Sequence, residues 1–242
     1  MHIAFAVVFF VFVGLSETLR QGIFGLNTTE IAGITSGALL FSAVFILRGD
    51  IVFLLRRSRQ DLYGDARLNW TWPRSGLGLI LGPALWILPF IYGSTLIQIN
   101  FTSISLDTLI TALATQVLLV ALAQELFFRE AVVKAYQSST RAIYLVSGLA
   151  FFIFYVPQGV PAAMIAAGMG LYLVALRLIG TNVLVLALIH GATSVMFTNV
   201  LALGLTGRDQ WMYGAFFLAG AALLSLIVHQ TFSQKRSEYI YA

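Results

Sequence analysis

Apolar residues fall in eight blocks along the chain, at about 2–16, 30–47, 76–98, 107–128, 143–156, 160–178, 183–204 and 211–231, with polar residues collected between them. Roughly 20 apolar residues carry a helix across the hydrocarbon core, and fewer suffice where neighbours enclose the helix. The pattern therefore predicts an all-α, polytopic membrane bundle of about eight transmembrane helices, built as one membrane domain over residues 1–242. The count becomes seven if Met1–Leu15 only dips into the interface, and the second block can run on through Ile51–Leu55. Met1–Leu15 lacks a basic leading stretch and a small-residue cleavage site, so it reads as a retained span and not a signal peptide. Arg129–Arg141 is too polar to cross, and its Glu130, Lys134 and Arg141 suggest a helix running out along the interface. No internal repeat, low-complexity tract or second domain interrupts the pattern.

The basic residues in the gaps add a sidedness. With eight spans, one face receives Arg48, Arg56, Arg57, Arg59, Arg67, Arg74, Lys134, Arg141, Arg177, Lys235 and Arg236, and the other only Arg20 and Arg208. Cytoplasmic loops carry the excess of Lys and Arg, so both termini are expected in the cytoplasm. The largest loop, Arg56–Arg74, closes with Asn69-Trp70-Thr71-Trp72-Pro73-Arg74. Tryptophans beside arginine at a span entrance read first as an interfacial anchor, with a partner-docking surface as the other reading.

Composition fits a bilayer protein. The chain is 59% hydrophobic and 10% charged, with a mean hydropathy of +0.90, whereas soluble domains carry about a quarter charged residues. A formal charge of +4 comes without a basic run interleaved with aromatics, so nucleic acid is not an expected partner. Cysteine is absent, which removes disulfides, thiolate catalysis and cysteine-ligated metals. A zinc site wants three or four convergent ligands. Only Glu125, Glu130 and His190 qualify, because His2 and His229 lie near span ends and no HExxH pattern occurs. Neither a metal nor another cofactor is expected, and the 13% aromatic content reads as core or lipid-facing surface without support for a pigment. Ala162, Ala166 and Gly170, with Ala163 and Ala167 alongside, repeat at the spacing that lets helix backbones approach closely in lipid, a packing feature.

Few polar side chains enter the predicted spans of the C-terminal half: Gln116, Gln124, Glu125, Arg129, Tyr155, His190, Thr193, Ser194 and Asn199. Ionisable residues at such depth mark functional sites by default. Glu125 and Arg129 are one helical turn apart and can pair, and His190 and Ser194 share a face in the same way. Tyr155 ends the fifth block just before Pro157, where a helix should break. Three helices can thus aim polar groups at one another. Taken alone, the cluster reads equally as a hydrogen-bonded network that fixes helix register without catalysing anything. A proton relay for transport is a third reading, weakened because the chain lacks paired interrupted helices in two related halves.

The order and spacing of these pieces resemble the CPBP family, the CAAX-protease and bacteriocin-processing (Abi) membrane proteins. That family carries Glu-Glu-x-x-x-Arg, Phe-x-x-x-His and His-x-x-x-Asn on successive helices. Here the first stands as Gln124-Glu125-Leu126-Phe127-Phe128-Arg129. The second is Phe151-Phe152-Ile153-Phe154-Tyr155, after a Ser147 at the family-like offset, and the third is His190-Gly191-Ala192-Thr193-Ser194. The resemblance covers about residues 118–200, which would form a CPBP-like motif core. In the proteolytic members it implies that the first Glu of the pair and the second-motif His activate water, and that the third-motif His and Asn polarise the scissile carbonyl. Gln124 and Tyr155 stand at the two water-activating positions, Ser194 stands for the Asn, and the structural pair Glu125–Arg129 is intact. A neutral amide accepts no proton from water, and a phenol with pKa about 10 is a poor base.

The resemblance therefore implies a CPBP-fold protein, degenerate in its catalytic motifs. Its protease chemistry would be lost or altered, and it would act as a binding, assembly or accessory subunit for another membrane protein. The alternative is an active intramembrane endopeptidase acting on prenylated, leader-peptide or membrane-anchored substrates, with Glu125 or the extra carboxylate Glu130 as base. Pairing with Arg129 would weaken Glu125 in that role. Compactness and the resemblance suggest a bacterial inner membrane.

Overall fold

The computed structural model describes residues 2–21, 25–26, 28–47, 99–101, 105–136, 138–179, 181–196, 201–203 and 207–240. The expected 76–98 span, Ile51–Leu55, the Arg56–Arg74 loop with its tryptophans, and Asn199 lie outside them. In chain order the elements are α1 His2–Arg20, α2 Thr28–Ile46, β1 Ile99–Phe101, α3 Leu106–Ala135, α4 Thr140–Tyr155, α5 Val160–Leu178, α6 Val183–Val195, β2 Leu201–Leu203 and α7 Arg208–Ile240. The chain is a helical membrane bundle. Among the described residues, five helical stretches are long and apolar enough to cross a bilayer: Ile3–Arg20, Leu106–Ala135, Thr140–Gln158, Val160–Leu178 and Arg208–Gln230. Glu30–Ile46 and Val183–Val195 are shorter apolar helices.

Helix boundaries follow local chemistry. Ser105 Oγ accepts from the Thr108 backbone N–H at 3.2 Å, Ser139 Oγ from Ala142 at 3.3 Å, and Asn182 Oδ1 from Leu184 at 2.8 Å. Each satisfies a donor that a helix start leaves without an intrahelical partner. α4 ends at Tyr155, as Pro157 demands, and a short 3₁₀ turn at Val156–Gln158 leads to Gly159 at φ +105°, which glycine adopts without a Cβ penalty.

Two expectations change. Arg129–Ala135 is no interfacial helix: α3 continues through it, with Phe127, Phe128, Ala131 and Val132 wholly buried. The charges are tolerated because Arg129 pairs with Glu125 and Glu130 with Arg177 inside the protein. The seventh block does not run on as helix to 204. α6 stops at Val195, and Leu201–Leu203 pairs antiparallel with Ile99–Phe101, so its main-chain groups bond to another segment and not along a helix.

α5 is the most enclosed of the five long apolar helices among the described residues, with α4 and α7 packed along it. A Cβ on Gly170 would stand 3.3 Å from the Ser147 carbonyl oxygen, and one on Gly168 2.9 Å from the Phe217 ring. The small-residue stripe is thus a packing device. Across the bundle, Phe5, Phe9 and Phe12 of α1 meet Phe127, Phe128 and Phe154, with Phe5–Phe127 centroids at 5.2 Å and Phe128–Phe151 at 4.6 Å. These rings wall the site.

Candidate functional site

α3 changes its winding where the polar residues sit. Thr115–Ala121 and Leu126–Ala131 are π-helical and bracket a four-residue α-helical stretch, Leu122–Glu125. The Leu122 N–H, for instance, donates to the Val117 carbonyl five residues back. Such segments are rare and concentrate at functional sites. The stretch between them carries Gln124 and Glu125, and the second carries Arg129 and Glu130.

The first π segment also receives α6. Gly191 lies so close to Val117 that a Cβ would stand 2.6 Å from Val117 Cγ2, 2.8 Å from its Cα and 2.9 Å from its N. Only glycine fits that approach, and the approach brings the adjacent His190 onto α3. His190 Nδ1 lies 2.8 Å from Glu125 Oε1. The other carboxylate oxygen, Oε2, lies 3.1 Å from Arg129 Nε. Glu125 and Arg129 are both wholly shielded from solvent.

Arg129 is held on further sides. Its NH1 donates to the Phe128 carbonyl at 3.2 Å and to Ser147 Oγ at 3.1 Å, and Ser147 donates to the same carbonyl at 3.2 Å. Its guanidinium carbon stands 4.3 Å from the Phe151 ring centroid, within cation–π range. A buried charge of either sign costs several kcal/mol without a partner, so each member of this network holds the others in place.

Beside the network, Tyr155 Oη donates to Gln124 Oε1 at 3.4 Å. The geometry thus brings together Gln124 with Tyr155, and Glu125 with Arg129 and His190. Ser194 sits one turn beyond His190 on α6, half-buried. Thr193 takes no part, its hydroxyl donating to the Ile189 carbonyl at 2.6 Å. Glu130 stands apart: Arg177 of α5 grips it with both Nε and NH2, the latter at 3.0 Å. Among the described residues, no three His, Asp or Glu side chains converge as metal ligands would.

The chemistry follows from these engagements. Glu125 has Oε1 hydrogen-bonded to an imidazole and Oε2 ion-paired with a guanidinium, so it orients its neighbours from a position shielded from solvent. A carboxylate at Nδ1 places the proton of a neutral imidazole on Nδ1 and leaves Nε2 as an acceptor. Ser147, Phe151 and Gly191 had no role in the sequence reading beyond the motifs that hold them, and Arg177 is a fourth contributor. Ser147, Phe151 and Tyr155 are four residues apart and share a face of α4, so spacing could have joined them to the site. Arg177 read only as a marker of sidedness.

Residues 105–196 match the family model described as type II CAAX prenyl endopeptidase Rce1-like. No curated protein and no solved structure matches the chain. Every motif residue of the cluster lies inside the matched stretch, which is similar to the Rce1-like family.

Proposed function

We propose that this chain is a CAAX-protease-like membrane protein whose site holds a membrane-anchored polypeptide without cutting it, as a binding, assembly or accessory subunit. The observation that carries the reading is the Tyr155–Gln124 hydrogen bond. It occupies the pair of positions at which proteolytic members of the resembled family activate water. A phenol donating to a carboxamide provides no base at neutral pH. Glu125, the nearest carboxylate, has both oxygens engaged and is fully shielded, and Glu130 is clamped by Arg177. In this reading the chain is one membrane domain with its motif core at 118–200, both termini in the cytoplasm, in a bacterial inner membrane.

A farnesylated peptide ending in a CAAX sequence, presented to the protein in nanodiscs, tests the reading. Binding with no new terminus by intact mass supports it. Cleavage that Glu125→Gln abolishes in a folded protein would establish the endopeptidase alternative. Co-purification in mild detergent gives an independent check: a stoichiometric partner of full mass is expected.

One feature favours residual hydrolysis as a second reading. Glu125 on Nδ1 leaves His190 Nε2 able to take a proton, the orientation used in carboxylate–histidine dyads. Hydrolysis by that route would survive Tyr155→Phe and vanish in His190→Gln.

A further inference from the structure

Gln124 and His190 each commit one of their two polar side-chain atoms. The Tyr155 phenol donates to Gln124 Oε1, and His190 Nδ1 meets Glu125 Oε1. Among the described residues neither side chain makes a further hydrogen bond. Their Nε2 atoms remain: a carboxamide nitrogen with two N–H donors, and the accepting nitrogen of a neutral imidazole. Both residues are enclosed, Gln124 at 5% and His190 at 6% exposed, so a ligand reaching them would replace little water.

The two groups are neighbours. Gln124 and Glu125 are consecutive on α3, with Cα atoms about 3.8 Å apart, and Glu125 holds the imidazole. Phe151 of α4 touches both ends, its ring centroid 5.9 Å from that of Tyr155 and 5.9 Å from that of His190. Tyr155 decides which way the amide faces. A phenol donating to Oε1 holds the carbonyl end toward α4 and turns the N–H₂ end away from it. A carboxylate at 124 would have no donor to turn. The residue that offers no base therefore offers an oriented donor.

A fixed donor beside an acceptor complements a group carrying C=O and N–H side by side. One residue of extended backbone is such a group, because its own C=O and N–H point to the same edge. A carboxylate or phosphate fits worse, since it would be buried beside the Glu125 carboxylate. Extended chain entering an enclosed site must also have its main-chain groups met. We infer that Gln124 and His190 clamp one residue of an extended polypeptide, Gln124 Nε2 donating to its C=O and His190 Nε2 accepting from its N–H. The inference rests on the binding reading and deepens it: at this residue the site recognises main chain, whatever the side chain.

The test uses the full chain in nanodiscs of neutral lipid, read against empty discs, with a fluorescent farnesylated CAAX peptide and a series in which each amide in turn becomes an ester, which has no N–H. Wild type should bind one ester about five- to tenfold more weakly than the parent, the loss of one hydrogen bond, with the rest of the series closer to the parent. At saturation the ¹⁵N resonance of His190 Nε2 should move with the parent and stay in place with that ester. Gln124→Met, neutral and of similar length, should bind the parent about five- to tenfold more weakly and keep the ester's penalty, because its loss lies on the C=O side. Tyr155→Phe keeps the donor but frees the amide to turn over, and should lose part of that affinity. If every ester binds wild type as the parent does, or the His190 resonance ignores the parent, the clamp is wrong and the binding reading stands. If a folded Gln124→Met binds the parent as wild type does, the amide is not the donor and the clamp is again overturned. If wild type fails to bind the parent, or cuts it, the clamp falls together with the binding reading.

Discussion

Replacing Gly191 by alanine places one methyl group at the contact on which the site depends. The added Cβ would sit 2.8 Å from Val117 Cα and 2.9 Å from Val117 N, both backbone atoms that no rotamer change can move. Ordinary contact begins at 3.4 Å, so α6 and α3 must part by about 0.6 Å. That displacement acts next to His190, whose 2.8 Å bond to Glu125 would stretch to about 3.4 Å, the limit of a useful hydrogen bond. Overpacking of this kind costs about 1–3 kcal/mol, and a lost hydrogen bond to a charged group about 1.5–3. At roughly 2–4 °C per kcal/mol for a chain of this size, Tm should fall by about 10 °C. Gly14→Ala is the matched control, since nothing lies within 4 Å of that position and the helix gains propensity. The second readout is the ¹⁵N signature of the His190 ring: wild type should hold its neutral proton on Nδ1, and Gly191→Ala should shift it toward Nε2. If Gly191→Ala matches wild type in both Tm and tautomer, the α6–α3 approach does not position the histidine. Val117→Ala should restore stability only in part, because the backbone contacts persist.

The other expectations are simpler to state. Glu125→Ala or Arg129→Ala each strands a fully buried charge and should cost about 3–5 kcal/mol, read as loss of folded yield in detergent; mutants as thermostable as wild type would remove the structural role of the pair. Arg177→Glu should destabilise by placing two carboxylates together, and the swap Glu130→Arg with Arg177→Glu should recover part of the loss by thermal melting; no recovery would mean the pair does not tie α3 to α5. Because the chain has no cysteine, single cysteines report sidedness cleanly. Cys replacing Ser233 should react with an impermeant maleimide from the cytoplasmic face, and Cys replacing Gln21 from the opposite one; labelling on one common face would reverse the topology.

Hydropathy reads each charge as though it stood alone in lipid. Arg129 and Glu130 therefore ended the fourth predicted span, and α3 was expected to leave the bundle there. Their partners are what carry the helix on to Ala135: Glu125 is one turn away and visible in the sequence, but Arg177 is 47 residues distant. The faces of Glu125, Arg129, His190 and Ser194 were legible because helical spacing fixes them. The π winding was not, since it shows no periodic signature. Arg20 read as a topological cation for the same reason that Arg177 did: nothing local distinguishes a residue that faces headgroups from one that faces Phe154.

The same bookkeeping of buried charge favours neutral side chains at 124 and 155 beside an intact Glu125–Arg129 pair. Removing either member of the Glu125–Arg129 pair leaves an uncompensated ion, whereas a neutral amide at 124 avoids a second carboxylate beside Glu125. Gln124 is 5% exposed, and the Arg129 guanidinium already pairs with Glu125 and bonds through NH1 to Ser147 and the Phe128 carbonyl. Gln124→Glu should therefore lower Tm by several degrees on its own, the cost of an additional buried charge being a few kcal/mol at neutral pH. Tyr155→His beside it should return part of that loss, because an imidazolium can pair with the new carboxylate. The double variant is then expected to be less stable than wild type and, if the ligand reaches it, to cut a CAAX peptide. Activity gained at a stability cost would mean that the wild-type pair trades a base for a neutral hydrogen bond. A Gln124→Glu variant as stable as wild type would show that position 124 tolerates charge, and the electrostatic account of the substitution would be wrong.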